Sequence, residues 1–412
     1  MKKLLSLLMC MVVLLSLMGG CGVKEAPETT AAEPVEVEVP YETEPAVKKY
    51  EGVQLRMLAM LWDTEPEARV IQQAAEVFQQ QTGAAVQIVW ASDAAAGVNG
   101  YDIFQIAGSS LTGDVLTNAL DLSQMAEEAG YEQHSFAALR RQVTDRCGYL
   151  AGIPQIPTVG GIYYVQEVFD ACGITQTPDT WEEFLDLCQT LRSGGFESLA
   201  LNSEDAALAG QLHLERSLEA ARLVKAEDDK TKFADDEQLV QTVQQIVDFV
   251  AGGNLASGKI GAYPAAQKQL GLSNAAMTVG SNAVCTQVEE ATLADLHWGV
   301  FAWPGSGEGC GSFVDSDMLC VNSSSQNVQA AFDFIMLLCT GEFDQLRADI
   351  TGGIPADPAN ACVIASAAEV LQASLGRDGT MLAGVPTDVL VKLWEGKYKS
   401  GAQFAAIWDQ SR

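Results

Sequence analysis

The stretch "GIPQIPTVGGIYYV", residues 152–165, decides how this chain of 412 residues folds. It holds two prolines, a glycine pair and two adjacent tyrosines within an apolar run. Proline fixes one backbone torsion and removes a hydrogen-bond donor, whereas glycine widens the range of backbone conformations. Stiffness next to freedom in so short a segment raises the question of what the stretch does, and the sequence on either side gives its context.

The sequence before this stretch alternates between strand and helix patterns. "VQLRMLAML" (53–61) is an almost continuous apolar run, as expected of a strand that is buried on both faces. "EARVIQQAAEVFQQQTG" (67–83) has apolar residues at helical spacing, and Gly83 follows as a C-cap. "AVQIVW" (85–90) and "YDIFQIAG" (101–108) are typical of further strands. This order predicts an α/β fold with a parallel sheet and covering helices.

Ligands of such sheets bind beyond the carboxyl ends of the strands. Trp62 and Asp63 follow the first predicted strand, and Ser109 and Ser110 follow the third. These residues are therefore the first candidates for ligand contact.

A second round of strands and helices follows the central stretch. Thr180 and Glu183 fit a capping box at the start of a helix whose apolar stripe includes Trp181. "FESLALN" (196–202) and "NAAMTVG" (274–280) are strand patterns, and a long helical segment is expected over 204–225. The second half of the chain thus predicts a second lobe.

The first twenty residues have the order of a secretion signal: Lys2 and Lys3, an apolar run from Leu4 to Met18, and two glycines before Cys21. "LMGGCG" (17–22) resembles a bacterial lipobox, whose cysteine becomes the lipidated first residue of the mature protein. An ordinary signal peptide with an incidental cysteine is the alternative. Residues 21–50 carry seven glutamates and four prolines and predict an acidic, extended tether.

Composition excludes some partners and sites. The formal net charge of -30 disfavours nucleic acid and anionic lipid, which it would repel. Membrane contact is therefore expected through an N-terminal lipid only. No C-x-x-C pair or cysteine–histidine cluster has the spacing of a metal site, so neither a metal nor a cofactor is expected. Eight cysteines remain beyond Cys10 and Cys21, and their pairing stays open.

Several segments together resemble the family 1 extracellular solute-binding proteins, the receptors of bacterial ABC importers that include maltose-binding protein. They are "VIQQAAEVFQQQTGAAVQIVW", "YDIFQIAGSSL", "NAAMTVGSNAV", "FDFIMLLCTGEFDQL" and residues 149–201, of which Gly152 to Leu201 is the most specific part. The resemblance implies a two-lobed periplasmic-binding-protein-like (type II) fold with a ligand cleft between the lobes. It implies lobe one at 51–157 and 311–350, lobe two at 158–310, and a C-terminal helical part at 351–412 that belongs mainly to lobe two.

On this resemblance, the central stretch is the first crossover between the lobes. Pro154 and Pro157 stiffen the exit from lobe one, and the glycine pair at 160–161 lets the backbone pivot. The two tyrosines then begin a strand of lobe two. Since side chains alternate along a strand, at most one of Tyr163 and Tyr164 reaches the cleft, and both could lie in the core.

The resemblance also implies the ligand class and the second wall of the cleft. Sugar-binding members often place tryptophan after the strand that matches "AMTVG", whereas this chain has Ser281 and Asn282, which can hydrogen-bond but cannot stack. Asn202 lies at a matching position. Trp62, Trp303 and Tyr164 are the stacking candidates, with the core as the alternative for each. A sugar or oligosaccharide is the leading ligand, and Asp63 keeps a cationic solute such as a polyamine open.

Catalysis is not expected, because the chain has no H-E-x-x-H, G-x-S-x-G or G-x-x-x-x-G-K-[ST] motif. The resemblance instead implies a monomeric receptor that is anchored outside the cytoplasm and delivers its solute to ABC permease subunits. A sensory receptor without a transport role would have the same fold and cleft.

Overall fold

The computed structural model describes residues 48–91, 97–218, 232–305, 311–374 and 386–411. The predicted signal, Cys21 and nearly all of the predicted tether lie outside these ranges, as do the end of the helix expected over 204–225 and the side chain of Ser109.

The described chain alternates between strands and helices. The strands are β1 (Gln54–Ala59), β2 (Ala85–Trp90), β3 (Ile103–Ala107), β4 (Ile153–Val165), β5 (Glu197–Leu199), β6 (Ala275–Ser281), β7 (Trp298–Phe301) and β8 (Phe313–Val321). The helices are α1 (Pro66–Thr82), α2 (Gly113–Asn118), α3 (Ser123–Glu128), α4 (Ala137–Cys147), α5 (Gln166–Ala171), α6 (Trp181–Ser193), α7 (Ser203–Ser217), α8 (Glu237–Ala251), α9 (Ala265–Gly271), α10 (Ala283–Thr292), α11 (Val328–Cys339), α12 (Gly341–Thr351), α13 (Ala365–Ala373), α14 (Thr387–Trp394) and α15 (Gly401–Ser411).

The strands form one sheet in the order β2-β1-β3-β8-β4-β6-β5, and β7 also pairs with β4. β1 lies parallel to both β2 and β3, and β5 lies parallel to β6. Between these two parallel groups, β8 and β4 run antiparallel to each other and to their outer neighbours. The first half of β4 pairs with β8, and its second half pairs with β6 and β7.

Buried side chains form two separate clusters. Core one contains residues of β1, β3, α1 and α11, and core two contains residues of β6, α6, α8 and α14. The two antiparallel strands belong to both, since Ile153 and Met318 lie in core one while Val159 and Val314 lie in core two. The predicted two-lobed α/β fold is thus confirmed, with lobe one around core one and lobe two around core two. The predicted residue bounds of the lobes stay predictions.

The glycine pair in β4 is explained by close packing. A Cβ on Gly160 would lie 1.8 Å from Cε1 of Phe313, and a Cβ on Gly161 would lie 2.7 Å from the carbonyl oxygen of Phe301. Neither glycine has a positive φ. The structure therefore requires the absence of a side chain here so that β7 and β8 can approach, and it shows no unusual backbone conformation at this point.

Local sequence signals place the helix ends. Gly83 ends α1 in the left-handed conformation with φ 86°, as its pattern predicts. Thr180 and Glu183 form the predicted capping box at the start of α6. Trp181 is buried in core two, as its apolar stripe predicts. Among the helices of the described ranges, none is long and apolar enough to cross a membrane.

Candidate functional site

The two crossover strands present one partly open face. Cross-strand pairs put Asp317 beside Ile156, Asp315 beside Thr158 and Phe313 beside Gly160, and directly paired residues share a face of a sheet. Five side chains on this face are partly exposed, whereas their neighbours on the opposite face are buried. We call the five the crossover floor: Ile156, Thr158, Phe313, Asp315 and Asp317. It lies where the two cores meet, which is the position of a cleft between the lobes.

Asp317 connects the floor to lobe one. Its Oδ2 accepts a hydrogen bond from Nε2 of Gln105 at 3.2 Å, and Oε1 of Gln105 accepts one from the Met60 backbone at 3.1 Å. Burial raises the pKa of Asp317 above its usual value, the bond from Gln105 opposes this shift, and the carboxylates of Asp315 and Glu67 add to it. Gln105 of β3 and the Met60 backbone after β1 are therefore linked by hydrogen bonds to a carboxylate of the floor.

Asp315 is tied to the end of β3 through α4. Its Oδ1 accepts hydrogen bonds from Nε2 of Gln142 at 2.6 Å and from the Ser316 backbone at 2.9 Å. A Cβ on Gly108 would lie 2.8 Å from that same Oδ1 and 2.8 Å from Nε2 of Gln142. Only glycine fits here, so the turn after β3 and the second carboxylate of the floor are packed together.

The wall that lobe one contributes is exposed and polar, with one large ring. Trp62 and Asp63 follow β1 and Ser110 follows β3, at the strand ends where the sequence patterns put them, and all three are exposed. The Trp62 backbone N–H donates to Oε1 of Glu65 at 2.8 Å, and the Glu65 N–H donates to the Trp62 carbonyl at 3.0 Å. This turn holds Trp62 before α1 with 59% of its surface exposed. The side chain can therefore supply a flat apolar surface to a ligand.

On the side of lobe two, Asn202 lies just after the carboxyl end of β5, and Ser281 and Asn282 lie at the carboxyl end of β6. Ser281 pairs with Gly160 of the crossover. Oδ1 of Asn282 accepts a hydrogen bond from the Val159 backbone at 3.1 Å, so this side chain extends the pairing of β4 with lobe two. Oδ1 of Asn202 caps α7 through bonds from Glu204 and Asp205. Both amides thus have structural roles that sequence reasoning did not foresee.

The other partner in the α7 cap is the partly buried carboxyl group of Asp205. Oδ2 of Asp205 accepts a bond from the Asn202 backbone at 3.2 Å, which completes the cap. Burial raises the pKa of Asp205 to about 6, although the bonds from Asn202 oppose the shift. The pKa of Asp205 therefore lies above that of an exposed aspartate.

The structure places two predicted stacking residues away from the site. Trp303 is 0% exposed within core two, and its Nε1 donates to Nδ1 of His213 at 3.1 Å. Tyr164 stacks on Phe169 with ring centroids 4.1 Å apart. It lies four residues along β4 from Gly160, so its Cα is about 13 Å from that glycine. Both rings stabilise lobe two, so Trp62 is the aromatic candidate that remains. Tyr163 is also core, and its hydroxyl donates to the Val159 carbonyl at 2.7 Å.

Sequence reasoning missed the two carboxylates of the crossover floor. The signal was present in "SFVDSDMLCV" (312–321), where Asp315 and Asp317 are two residues apart in a strand pattern. That spacing puts both side chains on one face, about 7 Å apart. Nothing in the pattern told which face was open.

The described ranges hold no group of three or more histidine, cysteine or acidic side chains that could bind a metal ion. The seven cysteines within those ranges are free thiols.

A sequence model of the family described as "Bacterial extracellular solute-binding protein" matches residues 73–368, more than half of the chain. Curated protein sequences give no match.

Solved structures show the same fold at low sequence identity. The apo form of RafE from Streptococcus pneumoniae aligns with a TM-score of 0.68 and 13% identity, over 87% of this chain and 96% of that one. A sugar transporter from Bacillus licheniformis in complex with stachyose gives 0.54 and 16%, over 87% and 99%. The GacH receptor of Streptomyces glaucescens, solved unliganded and with acarbose, gives 0.56 and 16%, over 87% and 97%.

Proposed function

The chain belongs to the bacterial extracellular solute-binding protein family, and from this premise we propose that it captures a sugar or oligosaccharide in the cleft and delivers it to an ABC importer. One observation carries the choice of ligand: an exposed tryptophan follows β1, and the end of that strand is linked through Gln105 to Asp317 of the crossover floor. Trp62 is 59% exposed, and Asp315 and Asp317 share the open face of the crossover strands. Sugars offer both an apolar ring face and hydroxyl donors, which match these two features.

Closure of the lobes is part of the proposal. Contacts from both walls form only when the lobes come together, so a ligand that makes them shifts the population toward the closed state. Since solved neighbours with this fold include complexes with stachyose and with acarbose, a panel of neutral oligosaccharides is the first choice of probes.

We expect at least one of raffinose, maltotriose and xylotriose to bind and to reduce the radius of gyration in small-angle scattering. Trp62→Ala is expected to weaken that binding by about 1 to 3 kcal/mol, because a ligand that covers the indole removes apolar surface from water. Calorimetric titration of both proteins measures the loss. The control is the melting temperature of the ligand-free variant, which should stay unchanged since the side chain is exposed. An unchanged radius at saturation would contradict closure.

A cationic solute is the second candidate, and the acidic residues of the cleft favour it. Asp315 and Asp317 carry carboxylates on the crossover floor, and Asp63 carries one just beyond the carboxyl end of β1. An ammonium group placed among them would form charge-assisted hydrogen bonds. Titration with spermidine separates the two candidates: binding of spermidine with no binding of the three sugars would replace the sugar proposal.

We also propose that Cys21 anchors the protein to the outer face of the cell membrane through a lipid. The lipobox resemblance of "LMGGCG" supports this, and residues 21–50 would then separate the folded body from the membrane. Cys21→Ser is expected to move the protein from the membrane fraction to the soluble extracytoplasmic fraction without changing its melting temperature. Fractionation followed by immunoblotting tests this, and Cys10→Ser is the matched control. Retention of the Cys21 variant in the membrane would refute the anchor.

A further inference from the structure

Lobe two contains a pocket of about 340 Å³ beside its sheet. Its walls are mostly alkyl side chains and backbone, and its lining includes Leu201, Ser257, Lys259, Gly261, Ala265 and Gln269. We call it the lobe-two pocket. Apart from Ala200 and Leu201, its lining lies outside the segments that carry the family resemblance.

The sheet topology puts this pocket on the same edge as the crossover. Ser281 at the carboxyl end of β6 pairs with Gly160, and β5 lies parallel to β6. A bridge joins Leu199 to Leu255 on the far side of β5. Neighbouring strands are about 4.8 Å apart, so three spacings separate β4 from the segment that walls the pocket, about 14 Å in all. The carboxyl edge of lobe two therefore runs from the crossover past Ser281 and reaches the pocket.

The polar groups of the pocket are available to a ligand. The side chains of Ser257, Lys259 and Gln269 make no hydrogen bond to any other residue in the described ranges. Tyr263 follows directly after the lining residue at 262 and is 60% exposed. The pocket thus combines alkyl walls with donors and acceptors that make no hydrogen bond within the described ranges, and an exposed tyrosine follows one of its lining residues in the sequence.

The backbone adds an independent sign of function. Ser257 has φ 56°, a left-handed conformation that is uncommon for residues other than glycine. Its N–H donates to Oε2 of Glu197 at 3.0 Å, and the Gly261 N–H donates to the Leu201 carbonyl at 2.7 Å. Such outliers persist where the surrounding structure holds them, and they cluster at binding sites. Here the held segment is the one that shapes the pocket.

We propose that the lobe-two pocket is a distal subsite that binds one residue of an extended oligosaccharide whose other residues lie over the crossover floor. The inference rests on the proposed function and narrows it. The crossover strand β4 and the segment that walls the pocket are about 14 Å apart, so a single sugar ring cannot contact both. The proposed solute therefore has about three or more sugar residues. Alkyl walls suit the C–H surface of a sugar ring, while the Lys259 ammonium and the Ser257 hydroxyl suit its oxygens.

The test introduces a larger side chain into the pocket and measures how the affinity for oligosaccharides changes with the number of sugar residues. Ala265 is an exposed residue at the start of α9 that lines the pocket, so Ala265→Leu narrows the pocket without entering a core. Ala402→Leu places the same change at an exposed position of α15 as the control. Each protein is titrated with three series of oligosaccharides of increasing length, the malto-, xylo- and chito-oligosaccharides, each starting at the disaccharide.

For the wild type we expect affinity to rise at least tenfold from the disaccharide to the longer oligomers of the series that binds. Ala265→Leu should lose that gain and keep the affinity for the disaccharide, and Ala402→Leu should match the wild type. An equal gain in Ala265→Leu, or the absence of any gain with length in the wild type, would overturn the distal subsite and leave the proposed sugar receptor standing. Failure of every sugar series to bind would overturn both.

Discussion

Trp303→Ala is expected to lower the free energy of unfolding by about 3 to 5 kcal/mol, the usual cost of removing a large aromatic side chain from a core. The indole of Trp303 is 0% exposed and lies with its ring centroid 5.8 Å from Phe184 and 6.0 Å from Trp394. Its Nε1–H is also the donor to His213. The variant therefore creates a cavity and leaves a buried acceptor without its partner.

The hydrogen bonds of His213 determine which of its two ring nitrogens carries the proton. Nε2 of His213 lies 3.0 Å from the Thr242 carbonyl, which can only accept, so Nε2 carries the proton and Nδ1 accepts from Trp303. Burial lowers the pKa of His213 to about 4, which keeps the ring neutral at physiological pH. Trp303→Phe keeps a buried six-membered aromatic ring and removes the donor with the rest of the indole, so we expect a smaller loss of about 1 to 3 kcal/mol.

Urea denaturation of the ligand-free proteins measures both losses. Trp62→Ala is the matched control, because it makes the same change at an exposed tryptophan. If Trp303→Ala unfolds at the same urea concentration as Trp62→Ala, the assignment of Trp303 to the core is wrong.

Asp344→Ala is expected to have an effect of similar size, about 3 to 5 kcal/mol, because it breaks a buried ion pair and leaves the other charge without compensation. Asp344 lies on α12 beside Arg347, and both side chains are buried. Its carboxylate also accepts hydrogen bonds from the backbone of Ala356 at 3.1 Å and of Asp357 at 3.0 Å. One side chain thus organises the turn that follows the helix.

The second carboxylate of this turn extends the same network. Asp357 accepts a bond from the Gly341 backbone at 3.1 Å and pairs with Nδ1 of His134 at 2.9 Å. Loss of Asp344 would therefore loosen the segment from Ile354 to Asn360 as well as the helix.

Thermal and urea unfolding of Asp344→Ala measure the loss. Asp388→Ala is the control, since Asp388 pairs with Lys392 at 2.8 Å on the exposed face of α14 and such surface pairs add little stability. Equal stability of the two variants would contradict the role assigned to Asp344.

Much of the fold follows from local patterns. The range of β2 and the end of α1 at Gly83 match the predicted positions, and the capping box at Thr180 starts α6. These features depend on hydrophobic periodicity and on backbone groups within a few residues, which the sequence contains directly. The crossover strand also covers the predicted range, Ile153–Val165.

Part of the candidate site follows from the same patterns. Residues that come just after a parallel strand must lie at its carboxyl end, so the strand pattern is enough to place Trp62 and Asp63 there. Asn202, Ser281 and Asn282 follow β5 and β6 for the same reason, although their hydrogen bonds to backbone groups depend on residues elsewhere in the chain.

The sequence by itself determined the family, the alternation of strands and helices, and the residues at strand ends, because each depends on neighbours along the chain. Only the tertiary structure decided which aromatic rings are core and which carboxylates lie on the open face of the crossover strands. Trp303 and Trp62 both follow a strand pattern, so the sequence does not distinguish them. Their exposure differs because His213, Phe184 and Trp394 surround Trp303. Asp317 reaches the crossover floor because β8 pairs with β3 and β4, which precede it by more than one hundred and fifty residues. Pairing over such distances leaves no periodic signal in the strand itself, so the open face of β8 could be known only from the folded chain.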